Sequence, residues 1–325
     1  MNSAAASQPA ETAGVGLVLA RAWSMASSAP AISVIINERS GANPDPDAGL
    51  RIQSAFAALG RQVHLERVRA PGDLAARARQ AAARRDILVA AGGDGTVNAV
   101  ASVAVEAHAT IGVLPMGTLN HFAKDLGIPF DLEQAVAAIS GGQPVEVDVG
   151  DVNGRVFVNN SSVGLYPRMV WERDAEQRRG RGKWTAFSIA MLRTWRSYRT
   201  IGARLVVGGK AAAVRTPFIF IGNNEYTAEG FQLGGRSKLD EGQLSIFLAP
   251  ECGRFEILSL PVRALTKRLG SGAPFASFQA DSVTVDVAGA RVNVAIDGEI
   301  VMMTPPLVYR VRPRALRVIR ATAGK

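Results

Sequence analysis

Five consecutive residues, Gly92-Gly93-Asp94-Gly95-Thr96, carry the strongest chemical signal in the chain. An apolar run, Ile87 to Ala91, leads into them, and an Ala/Val-rich stretch from Val97 to about His108 leads out. That is the pattern strand, glycine turn, helix. Glycines admit positive φ and let a bulky ligand approach the backbone. Such a turn presents backbone N–H groups and a helix N-terminus, together an anion site suited to nucleotide phosphates. A bare carboxylate repels phosphates, so Asp94 is expected to work through a metal ion or on a proton. The turn is not a Walker loop, since no Gly-Lys-Ser/Thr follows, and it lacks the GxGxxG spacing of a dinucleotide fold.

The elements that must position this turn can be read on either side of it. Ala31 to Ile36 reads as a buried strand ending at Asn37, Leu50–Leu59 as a helix stopped by Gly60, and Val63–Val68 as a second strand. A helix from Leu74 to about Arg85 precedes the glycine turn. Thr110–Leu114 is a fourth strand, ending in a second glycine turn, Pro115 to Ala123, which enters a helix; Asp131–Ile139 is helical too. Strands alternating with helices predict a doubly wound, mostly parallel sheet. Its ligand crevice lies at the carboxyl ends of the strands, so the Asn37, Gly92 and Pro115 turns belong at one crevice.

The pattern changes after about Pro144. Strands are now expected without helices between them: Val145–Val152, Arg155–Asn159, Ile201–Val207, Ala211–Ile221, Gln243–Leu248, Ser282–Val287 and Val292–Ile296. These predict a mostly antiparallel β-sandwich, with Leu307–Ile319 as a last extended segment. The domain plan is therefore a disordered leader over 1–30, an α/β domain over 31–145 and a β-sandwich over 146–308. The Ala/Ser-rich leader lacks the basic start and long apolar centre of a secretory signal, and Met25 is an alternative start.

Composition narrows the functional classes. The 325 residues are 47% hydrophobic and 20% charged, which reads as globular. A single cysteine, Cys252, excludes an intrachain disulfide and a Cys-based zinc site, and three histidines argue against a His-rich metal centre. No apolar run approaches the ~20 residues of a membrane span. The net charge of +9 favours an anionic partner without choosing among nucleotides, nucleic acid and anionic lipid. Trp184, Phe187, Met191 and Trp195 share one helical face beside the basic run Arg178–Lys183, which suits either docking on an anionic membrane or packing on the sandwich.

Seven motifs in order resemble the diacylglycerol kinase catalytic-domain family of bacterial lipid kinases, relatives of sphingosine and ceramide kinases. They are Asn37 with Ser40-Gly41; GGDGTVNAV from Gly92; PMGTLNHFAKDLGIP from Pro115; Asn159-Asn160-Ser161 with Gly164; Gly222-Asn223; LDEGQL from Leu239; and Ile296-Asp297-Gly298-Glu299. The resemblance covers about Ile32 to Arg320. It implies an ATP-binding α/β domain and a lipid-binding sandwich with the active site in the cleft between them, the segment 309–325 returning to the first domain. It implies ATP and Mg²⁺ as cofactors. By resemblance, Gly92, Gly93, Asp94, Gly95, Thr96, Val97 and Asn98 cradle the nucleotide, with Asn37, Gly117, Thr118 and Asn120 helping to hold it. Asp94 would act through Mg²⁺. Asp297 and Glu299 would activate the lipid hydroxyl, with Glu299 the usual proton acceptor and Asp297 a close competitor. A structural Mg²⁺ would be held by Glu241 and the backbone carbonyls of Lys238 and Gln243, Asp240 being a weaker candidate.

Three positions depart from the family pattern: His121 where an acid is common, Val68 where a threonine is common, and Glu241 where aspartate is usual. The expected setting is cytoplasmic, with peripheral and transient contact at the inner membrane face, through Arg178–Tyr198 if that face docks. Nucleic acid is not the expected partner. A homodimer is compatible with the family pattern, although no interface is readable. An NAD kinase-like phosphotransferase, which also uses a GGDG turn, and a non-catalytic lipid- or nucleic-acid-binding protein are the competing readings.

Overall fold

A computed structural model describes residues 30–38, 40, 45–164, 200–226, 236, 238–248 and 276–321. In chain order the first part runs β1 (Ile32–Asn37), α1 (Ala48–Ala58), β2 (Val63–Val68), α2 (Leu74–Ala83), β3 (Ile87–Gly92), α3 (Asp94–Ala107), β4 (Thr110–Pro115), α4 (His121–Asp125) and α5 (Leu132–Gly141). The second part runs β5 (Gln143–Val152), β6 (Arg155–Phe157), β7 (Asn160–Gly164), β8 (Ile201–Val207), β9 (Lys210–Thr216), β10 (Phe218–Asn223), β11 (Leu244–Leu248), β12 (Ala276–Ala280), β13 (Ser282–Val287), β14 (Val292–Ile296), β15 (Glu299–Met303) and β16 (Leu307–Arg320).

The β-branched, uninterrupted strands β1, β3 and β4 are buried on both faces, and they form a parallel sheet in the order β2-β1-β3-β4. Asn37 pairs with Val68 and Gly92 with Pro115, so all four strand ends reach one edge of the sheet. Helices α1, α2, α3 and α5 bury small apolar faces against it, with Ile52, Phe56, Ala78, Val100, Ala101 and Val136 fully enclosed. Asp131 caps α5 by accepting the Gln134 N–H at 3.0 Å, satisfying one of the donors that a helix start leaves unpaired.

The second part packs two sheets around a separate apolar cluster that includes Phe157, Ile219, Leu244, Val285 and Tyr309. One is the six-stranded sheet β12-β11-β10-β7-β14-β15, antiparallel throughout; the other is the continuation of the first-domain sheet through β16 to β13, β8 and β9. The protein is thus an α/β domain with a mostly parallel sheet followed by an antiparallel sandwich.

Strand β16 joins the two parts. Along its length β5 pairs with one edge. Its other edge pairs first with β13, antiparallel, and then with β4, parallel, at Arg317 and Val318. The change of neighbour falls at a bulge between Arg312 and Leu316. Pro313 has no N–H to give to a ladder, and Arg314 takes φ 51° there, its own N–H donating to Asp148 Oδ1 at 2.8 Å.

The sequence expectations need four adjustments. Helix α3 begins at Asp94 rather than Val97, so Asp94, Gly95 and Thr96 form its first turn, with Gly93 as the extended N-cap. The strand expected over Ala211–Ile221 is two strands in different sheets: Pro217 ends β9, and the Thr216 hydroxyl donates to the Phe218 carbonyl at 2.8 Å across the corner. The strand expected over Arg155–Asn159 ends at Phe157, and the chain re-enters the other sheet as β7 at Asn160. Strands β12 and β15 were not anticipated; β12 carries polar residues on an exposed edge, and β15 follows too closely on the Asp297-Gly298 turn to show its own period. The basic aromatic run Arg178–Tyr198 lies outside the described residues.

Leu316 is fully buried in β16 just after the bulge, beside Val318 and Ile319. Leu316→Ala should lower stability by about 2–5 kcal/mol, measured by urea unfolding followed by circular dichroism. A loss below about 1 kcal/mol would show that the returning strand does not hold the α/β core.

Candidate active site

Two glycine turns meet backbone to backbone at the crevice. A Cβ on Gly117 would lie 2.4 Å from Gly93 Cα, a distance at which no side chain fits. The Met116 N–H donates to the Gly92 carbonyl at 3.1 Å, which locks the turns together. Asn120, at φ 49°, closes the second turn on itself: its Oδ1 accepts the Gly117 N–H and its Nδ2 donates to the Gly117 carbonyl, both at 2.9 Å. Its side chain therefore shapes the turn, while Thr118 is exposed at the mouth. Asn37 reaches across from β1 and donates to Thr96 Oγ1 at 3.1 Å. Val97 gives its side chain to the core and its N–H to the Gly93 carbonyl. The N–H groups of the first turn of α3 have no intrahelical acceptor, and they open toward this crevice.

Asp94 is half-buried, at the first helical position. Its Oδ1 lies 3.5 Å from the Phe122 N–H and 3.5 Å from Asn159 Nδ2, one neighbour from each domain. Both contacts are long, so the carboxylate keeps acceptor capacity.

The two acids of the late Asp-Gly-Glu motif have different environments. Asp297 and Gly298 form a two-residue hairpin between β14 and β15, both at positive φ (44° and 84°), with Ile296 paired to Glu299. This is the type I′ pattern that Asp-Gly favours. The Asp297 side chain folds back and collects three backbone donors: Val158 N–H on Oδ2 at 2.8 Å, and Asn159 and Asn160 N–H on Oδ1 at 2.8 and 3.0 Å. With its amide nitrogen turned toward acceptors, Asn98 adds a fourth donor, 3.3 Å from Asp297 Oδ2, and also bonds the Val156 carbonyl at 3.1 Å. Burial pushes the Asp297 carboxyl up to about 6, against the lowering effect of its three amides; the nearby Asp94 charge adds to the rise. The native state therefore takes up this proton more readily than the unfolded chain, and acidification through pH 6 relieves the burial cost.

The side chain of Glu299, two residues on, makes no hydrogen bond to any described residue. Its Oε1 stands where a Cβ on Gly95 would come within 2.7 Å, directly over the first turn of α3. Partial burial raises its carboxyl above the ordinary glutamate value, and Arg155 pulls in the other direction. The structure thus brings Asp94, Asp297 and Glu299 to one crevice and divides their labour: Asp297 is engaged with backbone, and Glu299 is open.

The loop of Glu241, the candidate structural metal site, makes the following contacts. Glu241 accepts the Glu225 N–H at 3.3 Å and faces the Lys238 ammonium at 3.7 Å. The Gln243 carbonyl accepts the Asn224 N–H at 2.9 Å, and Asp240 is exposed. Among the described residues no group of three His, Cys, Asp or Glu side chains is gathered around a common point. The loop is held instead by Asp148, which accepts the Gly242 N–H at 2.6 Å, and by Asn224, which accepts the Glu241 N–H at 3.0 Å. Of the other departures from the family pattern, Val68 is buried in the core at the end of β2, and His121 is the half-exposed first residue of α4.

Sequence reasoning missed Arg236. It lies in a glycine-containing stretch of sequence with no periodicity, yet its side chain is wholly enclosed and bonds Asp125, Val158, Asn159 and Asn223. Asp125, its counter-charge, was missed as well. No helix among the described residues is long and apolar enough to cross a membrane.

Comparison with known proteins agrees with this architecture. The model of the diacylglycerol kinase catalytic domain matches residues 31–152, and that of the YegS C-terminal NAD kinase beta sandwich-like domain matches residues 168–320. A diacylglycerol kinase of Bacillus subtilis (strain 168) is 26% identical over 277 residues, covering 84% of this chain and 90% of its own. One from Staphylococcus aureus (strain JH9) is 29% identical over 174 residues, 53% of this chain and 55% of its own. A crystal structure of a diacylglycerol kinase from Bacillus anthracis str. Sterne shares the fold, with a TM-score of 0.69 at 22% identity over 90% of this chain and 98% of that one. With the two family models matched in order along the chain, residues 31–152 carry a diacylglycerol kinase catalytic domain, a beta sandwich-like domain follows it, and the protein is a kinase.

Proposed function

We propose that the protein is an ATP-dependent lipid kinase that transfers the γ-phosphoryl group to a lipid hydroxyl, with diacylglycerol as the first acceptor to test. The observation that carries this reading is the open Glu299 carboxylate over the first turn of α3. A base there stands next to the amides that suit the phosphates of a nucleotide. In the transfer, Glu299 accepts the hydroxyl proton, the hydroxyl oxygen bonds the γ-phosphorus, and the bond from that phosphorus to the β–γ bridging oxygen breaks to release ADP. Phosphoryl transfer asks mainly for alignment and charge neutralisation. Asp94 suits a magnesium ion carried in on the nucleotide, because Mg²⁺ is commonly held by one or two carboxylates with phosphates and waters completing its shell; bound there, it would neutralise charge on the phosphates. Lipid acceptors bring the protein to a bilayer surface, and a net charge of +9 favours an anionic one.

The reading is tested with radiolabelled ATP and dioleoylglycerol in mixed micelles, and with NAD in a separate reaction. A labelled lipid band is expected; label on NAD alone overturns the lipid reading in favour of NAD kinase-like chemistry. The same assay separates the two acids. Glu299→Gln should cut kcat by about 10²–10⁴-fold while changing stability by less than about 0.5 kcal/mol. Asp297→Asn puts an amide NH₂ against the Val158 N–H and should lower stability by about 2–3 kcal/mol. If Asp297→Asn is as stable as wild type and only Asp297 matters for turnover, the assignment of the base is reversed.

Gly95→Ala gives an independent check. Alanine is the better helix former by up to about 1 kcal/mol, so the melting temperature should hold or rise. The added Cβ would displace the Glu299 carboxylate, and kcat should fall about tenfold or more. Full activity in a normally folded Gly95→Ala protein would remove Glu299 from the reaction.

A further inference from the structure

The guanidinium of Arg236 is fully enclosed between the two domains, and each of its N–H groups has an acceptor. Nε donates to Asp125 Oδ2 at 2.8 Å. Nη1 donates to the Val158 carbonyl at 2.6 Å and the Asn223 carbonyl at 3.1 Å. Nη2 donates to Asn159 Oδ1 at 3.0 Å and lies 2.7 Å from Asp125 Oδ2. The main-chain N–H of Arg236 takes the other oxygen of Asp125 at 3.0 Å. The rings of Phe122 and Tyr226 lie 5.9 and 5.6 Å from the guanidinium carbon, within the range of cation–π attraction. Phe122 and Asp125 belong to α4, which leaves the second glycine turn; Val158, Asn159 and Asn223 belong to the sandwich.

Asn159 is the link from this cluster to the crevice. Its N–H is held by Asp297 at 2.8 Å, and its carbonyl accepts the Tyr226 hydroxyl at 2.8 Å and the Asn223 N–H at 2.9 Å. Its main chain has no freedom left. Its side-chain oxygen is claimed by a cation that cannot lose its proton, so the amide cannot flip. The NH₂ end must then face the other way, and what it faces is Asp94 Oδ1 at 3.5 Å. An arginine serving only to join the domains is complete with Asp125 and the two carbonyls. The remaining donor is spent on the one side chain that, among the described residues, donates to Asp94.

We infer that Arg236 is a positioning residue for the Asp94 carboxylate: by holding Asn159 Oδ1 it directs the Asn159 NH₂ group at Asp94, and its Asp125 contact ties that alignment to the α4 side of the crevice. The inference rests on the reading that Asp94 takes part in transfer. Arg236 does not touch the reacting atoms. It sets where Asp94 stands, and it does so only when α4 and the sandwich are in register.

Asn159→Asp separates positioning from plain structural support. The new side chain still accepts from Arg236, with an added charge pair, but presents a carboxylate oxygen to Asp94 in place of the NH₂ donor. With labelled ATP and dioleoylglycerol as probes, kcat should fall about tenfold or more, with the KM for ATP within about threefold and a melting temperature at or above that of wild type. Arg236→Lys should also lower kcat, and added to Asn159→Asp it should cost less than about threefold more, because both act through one contact. Asn159→Asp with kcat within about twofold of wild type overturns the inference while leaving the kinase reading intact. Losses that multiply in full in the double variant overturn it too. Should Arg236→Lys fail to fold, Asn159→Asp alone decides. Wild-type protein that labels no lipid sinks the kinase reading and this inference with it.

Discussion

A buried carboxylate must find donors, and Asp297 finds the consecutive amides of Val158, Asn159 and Asn160. Much of the site depends on that constraint. The three donors lie where β6 ends and β7 begins, between strands of two different sheets. Holding them fixes the hairpin tip of β14 and β15 against the point where the chain passes from one sheet to the other. Glu299, two residues beyond Asp297, is then carried to the first turn of α3. Without the clasp the hairpin would still form, because Asp-Gly suits a type I′ turn. Its tip would have no reason to lean on the α/β domain.

The domain junction is polar where the chemistry lies and covalently continuous behind it. Strand β16 runs as one ladder from the sandwich into the α/β sheet, so the two domains share a sheet rather than a linker. In front, the contacts are directional: Asp125 with Arg236, Asn98 with Asp297, Asn159 with Asp94. Burying such groups contributes little net stability, since desolvation offsets much of the attraction. Apolar side chains would join the domains as firmly but would permit sliding. Hydrogen bonds with fixed partners define one register, and a site assembled from both domains needs one register.

The α/β half was legible because its signals are local and repeated. Alternating strands and helices placed β1 through β4, and turns at strand ends predicted that Asn37, Gly92 and Pro115 share an edge, as the register shows. The start of α3 was misjudged because Gly95 reads as turn, although a glycine in the first helical turn is tolerated. In the sandwich, Pro217 hid a change of sheet inside what reads as one strand, and short edge strands carried no period. Arg236 was illegible for a different reason. A lone basic residue in a polar loop has the look of a solvated surface, and nothing local distinguishes one whose five donors are all satisfied in the interior. The same holds for Asn159: its place in a family motif could be read, but its orientation is imposed by a residue 77 positions away.

The late Asp-Gly-Glu segment shows how a bland reading and a functional one can both hold. As a sequence it is either a hairpin turn or an acidic pair. In the structure it is a hairpin turn, and the turn is what distinguishes the acids. A two-residue turn puts its first residue at positive φ with the side chain close to its own sheet, where unpaired amides of a neighbouring strand can capture it. The first residue after the turn is already in the ladder, its side chain projecting past the sheet edge. Spacing alone therefore assigns Asp297 to holding and Glu299 to reaching. Desolvation raises the Glu299 carboxyl above the ordinary glutamate value, with Arg155 opposing it, and its Oε1 stands over the first turn of α3. The different engagement of Asp297 and Glu299 is thus a consequence of backbone geometry, and it needs no difference in the intrinsic chemistry of two carboxylates.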